Sequence, residues 1–199
     1  MSWALATKTL KMQAPTIATY ATGAAVYGAL VVMLFERVFA NHIGLIEQYV
    51  RIFPKGFLRV FNVSNGATSL GGFVAIQYLS LVWVIIAGAF VITASSGALA
   101  REREQGTLEL LLAYPIGRLR VYASKVAALL AGLLIIILAT LAGLWAGAIG
   151  QPAAVAPSLL WPAGLLCFAF ALAIAGYCFL FSALASERAL AAGAAAAVT

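Results

Sequence analysis

The chain has little of the chemistry that catalysis needs. Its 199 residues contain no aspartate, one histidine (His42), six glutamates and two cysteines. A metal site needs several His, Cys, Asp or Glu side chains close together, and acid–base catalysis needs positioned titratable groups. The sequence therefore offers almost no material for either, and an intramembrane enzyme is not expected. We interpret His42 as a solvated loop residue.

Charge is also missing from the long apolar runs. Four runs, over 16–35, 71–100, 126–149 and 159–182, contain no Asp, Glu, His, Lys or Arg. Ionisable residues inside membrane spans usually mark proton relays or ion paths, so their absence disfavours a proton-driven carrier. The sequence G-x-x-x-x-G-K-[ST], which binds nucleotide phosphates, is absent too. Energy from ATP would have to come from another polypeptide.

The composition that remains predicts a membrane protein. The chain is 64% hydrophobic and 9% charged, and its mean hydropathy is +1.05. Crossing a hydrocarbon core about 30 Å thick takes about 20 apolar residues as helix, and each of the four runs is long enough. A fifth run follows Arg188 and reaches Thr199 within eleven residues, so we expect the natural chain to continue. The sequence predicts an all-α, polytopic membrane helix bundle with four complete transmembrane helices and the start of a fifth, in one domain over 1–199.

Small and sulfur-containing residues add two predictions about the spans. Cys167 and Cys178 are eleven positions apart on one predicted helix, about 16 Å along its axis. They are too distant to form a disulfide with each other, and helix packing is their expected role. Gly143 and Gly147 form a small-xxx-small pair, a weak signal for the close approach of two helices. The polar side chains within the spans are interpreted as interhelical hydrogen-bonding groups.

The basic residues indicate a topology. The net charge is +6, and the basic residues flank apolar runs and do not alternate with exposed aromatics, so no nucleic-acid partner is expected. With a cytoplasmic N-terminus, most of them lie on the inner side of the membrane. The residues at 1–15 predict a short interfacial helix that ends before Pro15 and contacts membrane lipids. The residues at 36–70 predict an amphipathic outer loop.

The densest charges lie between the second and third apolar runs, in the segment 101–125, REREQGTLELLLAYPIGRLRVYASK. We predict that the second span continues as a charged helix over 101–105 until Gly106 breaks it. Thr107 can then cap a short new helix, which Pro115 ends. Glu109 points away from the leucines of that helix, which share one face at spacings of three and four: Leu108, Leu111 and Leu112. A short helix with an apolar side and a charged side would be offered to a soluble partner.

This segment resembles a known family. The pattern E-R-E-x-G-T-L-E-L-L-L-x-x-P-[VI]-x-R, here Glu102 to Arg118 and followed by Lys125, resembles the type-2, exporter-type ABC transporter permeases. The resemblance extends to LIEQYVRIFPKGFLRVFNV and GGFVAIQYLSL, so that it covers about 45–138. Gly117 departs from the pattern, because relatives often carry Ser or Thr there.

The resemblance implies a permease subunit of the cytoplasmic (inner) membrane, with six spans in the complete chain. It would pair with a second permease, as a homo- or heterodimer, and with separate ABC ATPase subunits. ATP and Mg would bind those ATPases, and no cofactor is expected in this chain. The residues that the resemblance assigns to ATPase coupling are Arg101, Glu102, Arg103, Glu104, Gly106, Thr107, Leu108, Glu109, Leu111, Leu112, Pro115, Arg118 and Lys125.

Two functions follow as hypotheses. The first is an ATP-driven ABC exporter permease. The alternative is a non-transporting membrane scaffold or assembly protein that recruits a soluble partner through 101–125. Uncharged spans with aromatic residues suit lipids, hydrophobic drugs or peptides as substrates and do not choose among them.

Overall fold

The described part of the protein is almost entirely helical. The computed structural model describes residues 3–39, 70–104, 117–149, 157–185 and 188–199, among which no strand occurs. The α-helices there are α1 (Trp3–Leu34), α2 (Leu70–Val74), α3 (Trp83–Glu104), α4 (Arg118–Ala148), α5 (Pro157–Leu184) and α6 (Arg188–Val198). Two π-helical segments accompany them: Phe35–Phe39 continues α1, and Ala75–Val82 joins α2 to α3. The predicted all-α class is confirmed.

Three of the described helices are long and apolar enough to cross a membrane. They are Thr7–Arg37, Leu119–Ala148 and Leu160–Leu184, judged by length and composition. These helices contain most of the first, third and fourth predicted spans. Helices of this kind satisfy their backbone hydrogen bonds internally, which a bilayer requires. The start of the predicted fifth span is helical as α6, over eleven residues.

The second predicted span, 71–100, is helical throughout but is not one regular α-helix. Within it, Trp83–Ser96 forms a shorter apolar α-helix, and Ala75–Val82 is π-helical. At the end of the π-helical segment the backbone N–H of Trp83 donates to the carbonyl oxygen of Tyr78, five residues earlier. This bond spans one residue more than an α-helical bond and widens the helix locally.

The N-terminal helix differs from its prediction. The sequence predicts a separate interfacial helix that ends before Pro15, whereas α1 runs without a break from Trp3 to Leu34 and contains Pro15. A proline removes one backbone donor and bends a helix, but the other hydrogen bonds of the turn can hold it. The Thr19 hydroxyl also donates to the Pro15 carbonyl at 3.0 Å. With 32 residues, α1 is about 48 Å long, so it exceeds the hydrocarbon core.

One face of α4 is buried, although the helix is apolar all round. Its buried residues recur every three or four positions, at 121, 124, 125, 128, 129, 132, 133, 136, 137, 140, 143, 144 and 147. Leu134, Ile135 and Leu138 lie on the opposite side and are exposed. The buried face carries the small and hydroxyl-bearing residues, which allow close packing against other helices.

The chain forms two compact units, and each is held together by its own contacts. Unit 1 contains the described residues of Met1–Tyr20, Ala87–Ile137 and Leu166–Thr199. In it the rings of Tyr20 and Phe90 pack edge to face, with centroids 5.7 Å apart.

Unit 2 contains the described residues of Ala21–Ile86 and Leu138–Leu165. Here the backbones of α1 and α4 approach closely. A Cβ atom placed on Gly147 would lie 2.7 Å from the Ala29 carbonyl oxygen. The small-xxx-small pair of Gly143 and Gly147 therefore does mark a helix contact.

Several predicted features lie outside the described residues. The outer loop predicted over 36–70 is described only at its ends, where Phe35–Phe39 continues α1 and Leu70 begins α2. The π-helical segment Phe35–Phe39 thus extends the first helix into the range predicted for the loop. The predicted short helix between Gly106 and Pro115 also lies outside the described residues.

Candidate functional site

The predicted coupling segment, residues 101–125, begins within the C-terminal end of α3. This helix continues past its apolar part through Arg101, Glu102, Arg103 and Glu104. No proline or glycine occurs in these four positions, so nothing in the sequence interrupts the helix before Gly106. The predicted charged extension is therefore helical as far as Glu104, the last residue of α3.

The C-terminal part of the same segment lies in the first turns of α4. Gly117 precedes Arg118, the first residue of the helix. The Gly117 carbonyl accepts hydrogen bonds from the backbone N–H groups of Arg120 at 2.8 Å and Val121 at 3.4 Å. Gly117 thus occupies the position where a helix begins, as the sequence predicts, although it has no side chain to cap the free N–H groups.

Lys125 lies one to two turns into α4, on its buried face. Lys125 is only 8% exposed, although lysine is rarely buried in proteins. The neighbouring Ser124 is fully buried, and its hydroxyl donates to the Arg120 carbonyl at 2.8 Å. Lys125 is thus a predicted coupling residue that lies within packed helices, and its role in coupling stays a prediction.

Two contacts hold these helix ends in unit 1. On α3, the Ser96 carbonyl accepts a hydrogen bond from the Ser182 hydroxyl of α5, at 3.4 Å. On α4, the Tyr122 ring packs against the Phe179 ring of α5, with centroids 5.6 Å apart. Because Phe179 and Ser182 are three residues apart, one stripe of α5 contacts both helices that flank the segment.

The remaining predicted coupling residues lie outside the described part of the chain: Gly106, Thr107, Leu108, Glu109, Leu111, Leu112 and Pro115. Their assignment stays a prediction. The structure thus describes the two helix ends that carry the segment, with Arg101 to Glu104 on one side and Arg118 and Lys125 on the other.

A buried polar site lies in unit 2, within spans where the sequence predicts hydrogen bonds between helices. The Tyr78 hydroxyl, fully buried, donates to the Ala24 carbonyl at 2.8 Å and lies 3.4 Å from the Thr140 hydroxyl. The Trp83 indole N–H donates to the same Thr140 hydroxyl at 3.3 Å. These bonds connect α1, the π-helical segment, α3 and α4. Tyr78, Trp83 and Thr140 therefore bond between helices, as predicted for polar side chains of the spans, whereas the hydroxyls of Thr19 and Ser96 donate within their own helices.

Glu36 is the charged residue that sequence reasoning missed. The first apolar run was expected to end at Phe35, but the candidate span Thr7–Arg37 continues past it. That range also contains Lys8, Lys11 and Arg37, which are exposed, whereas Glu36 is only 8% exposed. The apolar run ends at Phe35, but no helix-breaking residue follows directly. The absence of a helix breaker is the signal that could have predicted a helix continuing through Glu36. Within the described ranges, no three His, Cys, Asp or Glu side chains are grouped to hold a metal ion.

Comparison with known proteins identifies the family. The chain matches the family model for ABC-2 family transporter proteins over residues 4–199. Comparisons with curated proteins and with solved structures gave no significant match. The family match covers nearly the whole chain. Such permeases are transport subunits of the membrane and associate with ABC ATPases. The apolar helices, the charged segment between α3 and α4 and the family match agree that the chain belongs to the ABC-2 transporter family, as a multi-pass membrane permease.

Proposed function

We propose that this chain is the permease subunit of an ATP-driven exporter in the cytoplasmic membrane, with its N-terminus in the cytoplasm. A second permease subunit completes the pathway, and separate ATPase subunits bind ATP and Mg. The segment 101–125 docks on an ATPase subunit, and its charged residues Glu104 and Glu109 contact that subunit. Movement of the ATPase then moves α3 and α4.

The observation that carries the proposal is the way the charged segment joins the bundle. The charged residues at 101–104 belong to the same helix as the apolar residues that precede them. An α-helix resists bending because its hydrogen bonds would have to break, so a displacement applied at Glu104 is transmitted along α3. A flexible linker at this position would absorb the same displacement.

The contacts with α5 extend the effect to a third helix. The bond from Ser182 to Ser96 and the packing of Phe179 on Tyr122 join α5 to both flanking helices. A ligand shifts a conformational equilibrium only through contacts that differ between the two states. ATP-dependent closure of an ATPase that grips 101–125 would supply such contacts, and unit 1 would respond through α3, α4 and α5.

The test is charge reversal at the coupling segment. The chain is purified in mild detergent with its ATPase, reconstituted in vesicles, and assayed for ATP hydrolysis and substrate export. Glu104→Lys should leave membrane insertion intact and reduce export per ATP hydrolysed about tenfold or more, because one glutamate–cation contact in a docked interface would become repulsive. Glu187→Lys, the same charge change at a position with no proposed role, is the control.

Two results would contradict the proposal. Unchanged coupling in Glu104→Lys would remove the segment from the energy pathway. Failure of any ATPase to co-purify with the wild-type chain would favour the membrane scaffold instead.

A further inference from the structure

An open cavity lies beside the first turns of α1. Its volume is about 460 Å³, and the described residues that line it are Thr7, Lys8, Lys11 and Met12. All four side chains are exposed. Ligand pockets in proteins commonly measure about 300–1,000 Å³. The cavity is therefore large enough to hold a ligand group, and two of the four described side chains that line it are cations.

The cavity lies on the side of α1 that points away from α4. Ile17 is 4% exposed, and a Cβ atom placed on Gly132 of α4 would lie 2.9 Å from the Cδ1 atom of Ile17. Ile17 therefore marks the side of α1 that packs on α4. Lys8 precedes Ile17 by nine residues, two and a half turns, so it lies on the opposite side of the helix. Lys11 precedes Ile17 by six residues and lies about 120° away around the helix.

The distance of the two lysines from the apolar run indicates their depth in the membrane. The run over 16–35 is about 30 Å long as a helix, which equals the thickness of the hydrocarbon core. Lys11 precedes this run by about 7 Å and Lys8 by about 12 Å. The lipid headgroups occupy about 5–7 Å beyond the core on each side. Lys11 therefore lies in the headgroup layer, and Lys8 lies at its water side.

The cavity has the charge and the apolar surface that a charged lipid requires. The helix α1 contains no acidic residue, so no carboxylate of this helix neutralises Lys8 or Lys11. The two lysines are three positions apart and are neighbours on the helix surface, so both can contact one anion. Met12 is 66% exposed and adds apolar surface beside them. A phosphate attached to an acyl chain would use both features, whereas a soluble anion would use the lysines alone.

We propose that this cavity binds the phosphate of an anionic phospholipid in the cytoplasmic leaflet. Lys8 and Lys11 contact the phosphate, and Met12 lies against the beginning of the acyl chains. The cytoplasmic leaflet is negatively charged, and a basic residue near it strengthens binding about fivefold, which corresponds to about 1 kcal/mol. The site is separate from the coupling segment and does not depend on the transport function.

The experiment measures which lipid the purified chain retains. The full chain, delipidated in mild detergent, is titrated with phosphatidylglycerol or with phosphatidylcholine of the same acyl chains, and bound lipid is counted by native mass spectrometry. The wild-type protein should prefer phosphatidylglycerol. Lys8→Gln and Lys11→Gln should each weaken phosphatidylglycerol binding about fivefold, and the double variant about thirtyfold. Combining Lys8→Arg with Lys11→Arg keeps both charges and should keep the preference.

The matched control is Arg120→Gln. Arg120 is exposed and lies in the first turn of α4. The helices α1 and α4 run parallel, because Ala25 and Ala29 face Gly143 and Gly147 in that order. Arg120→Gln therefore removes one positive charge on the same side of the membrane, and it should leave phosphatidylglycerol binding unchanged. Free glycerol phosphate, which has the phosphate without the acyl chains, should not displace the lipid.

Three outcomes would overturn the inference. In the first, the wild-type protein binds phosphatidylglycerol and phosphatidylcholine equally. In the second, Arg120→Gln weakens phosphatidylglycerol binding as much as Lys8→Gln does, which would show that net charge alone attracts the lipid. In the third, glycerol phosphate displaces the lipid, which would show that the cavity takes a soluble anion. The assay contains no ATPase, so its result is independent of the coupling experiment.

Discussion

The contact between α1 and α4 gives the sharpest prediction about stability. A methyl group added at Gly143 would lie 2.6 Å from the Cα atom of Ala25, and one added at Gly147 would lie 2.7 Å from the Ala29 carbonyl oxygen. Favourable contacts between carbon atoms begin at about 3.5 Å. The obstructing atoms belong to the backbone, so no side-chain rotation can make room. The two helices would have to separate by about 1 Å.

The expected cost of Gly143→Ala follows from this geometry. Overpacking a well-packed interface typically costs about 1–3 kcal/mol, through displaced backbone and lost contacts. The comparison variant is Gly176→Ala on α5, where an added Cβ atom would meet nothing within 4 Å. That change should stabilise the helix by about 0.5–1 kcal/mol, because alanine loses less backbone entropy than glycine. The entropy gain applies to both glycines, because both lie inside helices, so the two variants should differ by the overpacking cost, about 1–3 kcal/mol.

Thermal unfolding of the purified variants in mild detergent measures this difference in stability. The fraction of protein that remains monodisperse after heating is followed as a function of temperature. Gly143→Ala should melt below the wild type and Gly176→Ala at or above it. Combining Gly143→Ala with Gly147→Ala should lower the melting temperature further. Equal melting temperatures for Gly143→Ala and Gly176→Ala would show that α1 and α4 are not in backbone contact.

Two further predictions concern buried side chains. Tyr78→Phe removes the hydroxyl that donates to Ala24. It should lower the free energy of unfolding by about 0.6 kcal/mol, the average for a hydrogen bond between membrane helices, and by at most about 1.7 kcal/mol. Tyr177→Phe, whose hydroxyl bond is exposed, should cost less, and an equal cost would contradict the burial of the first bond. Cys167 and Cys178 are free thiols, 8% and 1% exposed. A membrane-permeant maleimide should label them slowly in native membranes and rapidly after denaturation in SDS, whereas rapid native labelling of Cys178 would refute its burial.

The sequence could predict where the membrane helices are because a bilayer imposes one strong requirement. A span must be long, apolar and helical, and hydropathy alone detects that. The side of each helix that faces the bundle is a different question. On α4, Leu133, Ile136 and Ile137 are buried, whereas Leu134 and Ile135 are exposed, although all five are equally apolar. Lipid replaces water on the outer face, so no polar stripe marks it.

The irregular parts of the fold had weaker signals or none. The π-helical segment Ala75–Val82 contains no proline or glycine, and its sequence reads as an ordinary apolar helix. Tyr78 lies within this segment, and its hydroxyl reaches the Ala24 carbonyl. The proline at position 15 had a strong local signal for a helix end, yet α1 continues through it. The low helix propensity of Pro15 is outweighed here, because a long apolar segment must keep its backbone hydrogen-bonded.

The helix ends that flank the segment 101–125 were predictable from local signals for helix continuation and helix starts. The charged residues at 101–104 carry the helix to Glu104, and Gly117 precedes α4. These are local features that depend on a few residues and on helix-terminus chemistry. The burial of Lys125 was not predictable from charge alone, since a lysine next to an apolar run normally marks the water boundary. Only the packing of α4 shows that this lysine lies on the face that carries Ser124 and Ala128.

The error at Glu36 has a physical cause of its own. A span defined as a run without charges must end at the first charge, so Phe35 became its last residue by definition. A helix ends for other reasons: a proline, a glycine, or a capping side chain that competes for its backbone groups. None of these follows Phe35 directly, and the next residues, Glu36 to Phe39, stay helical. Glu36 lies at the end of a helix that is longer than the hydrocarbon core, so its 8% exposure reflects packing within the protein and does not give its depth in the membrane.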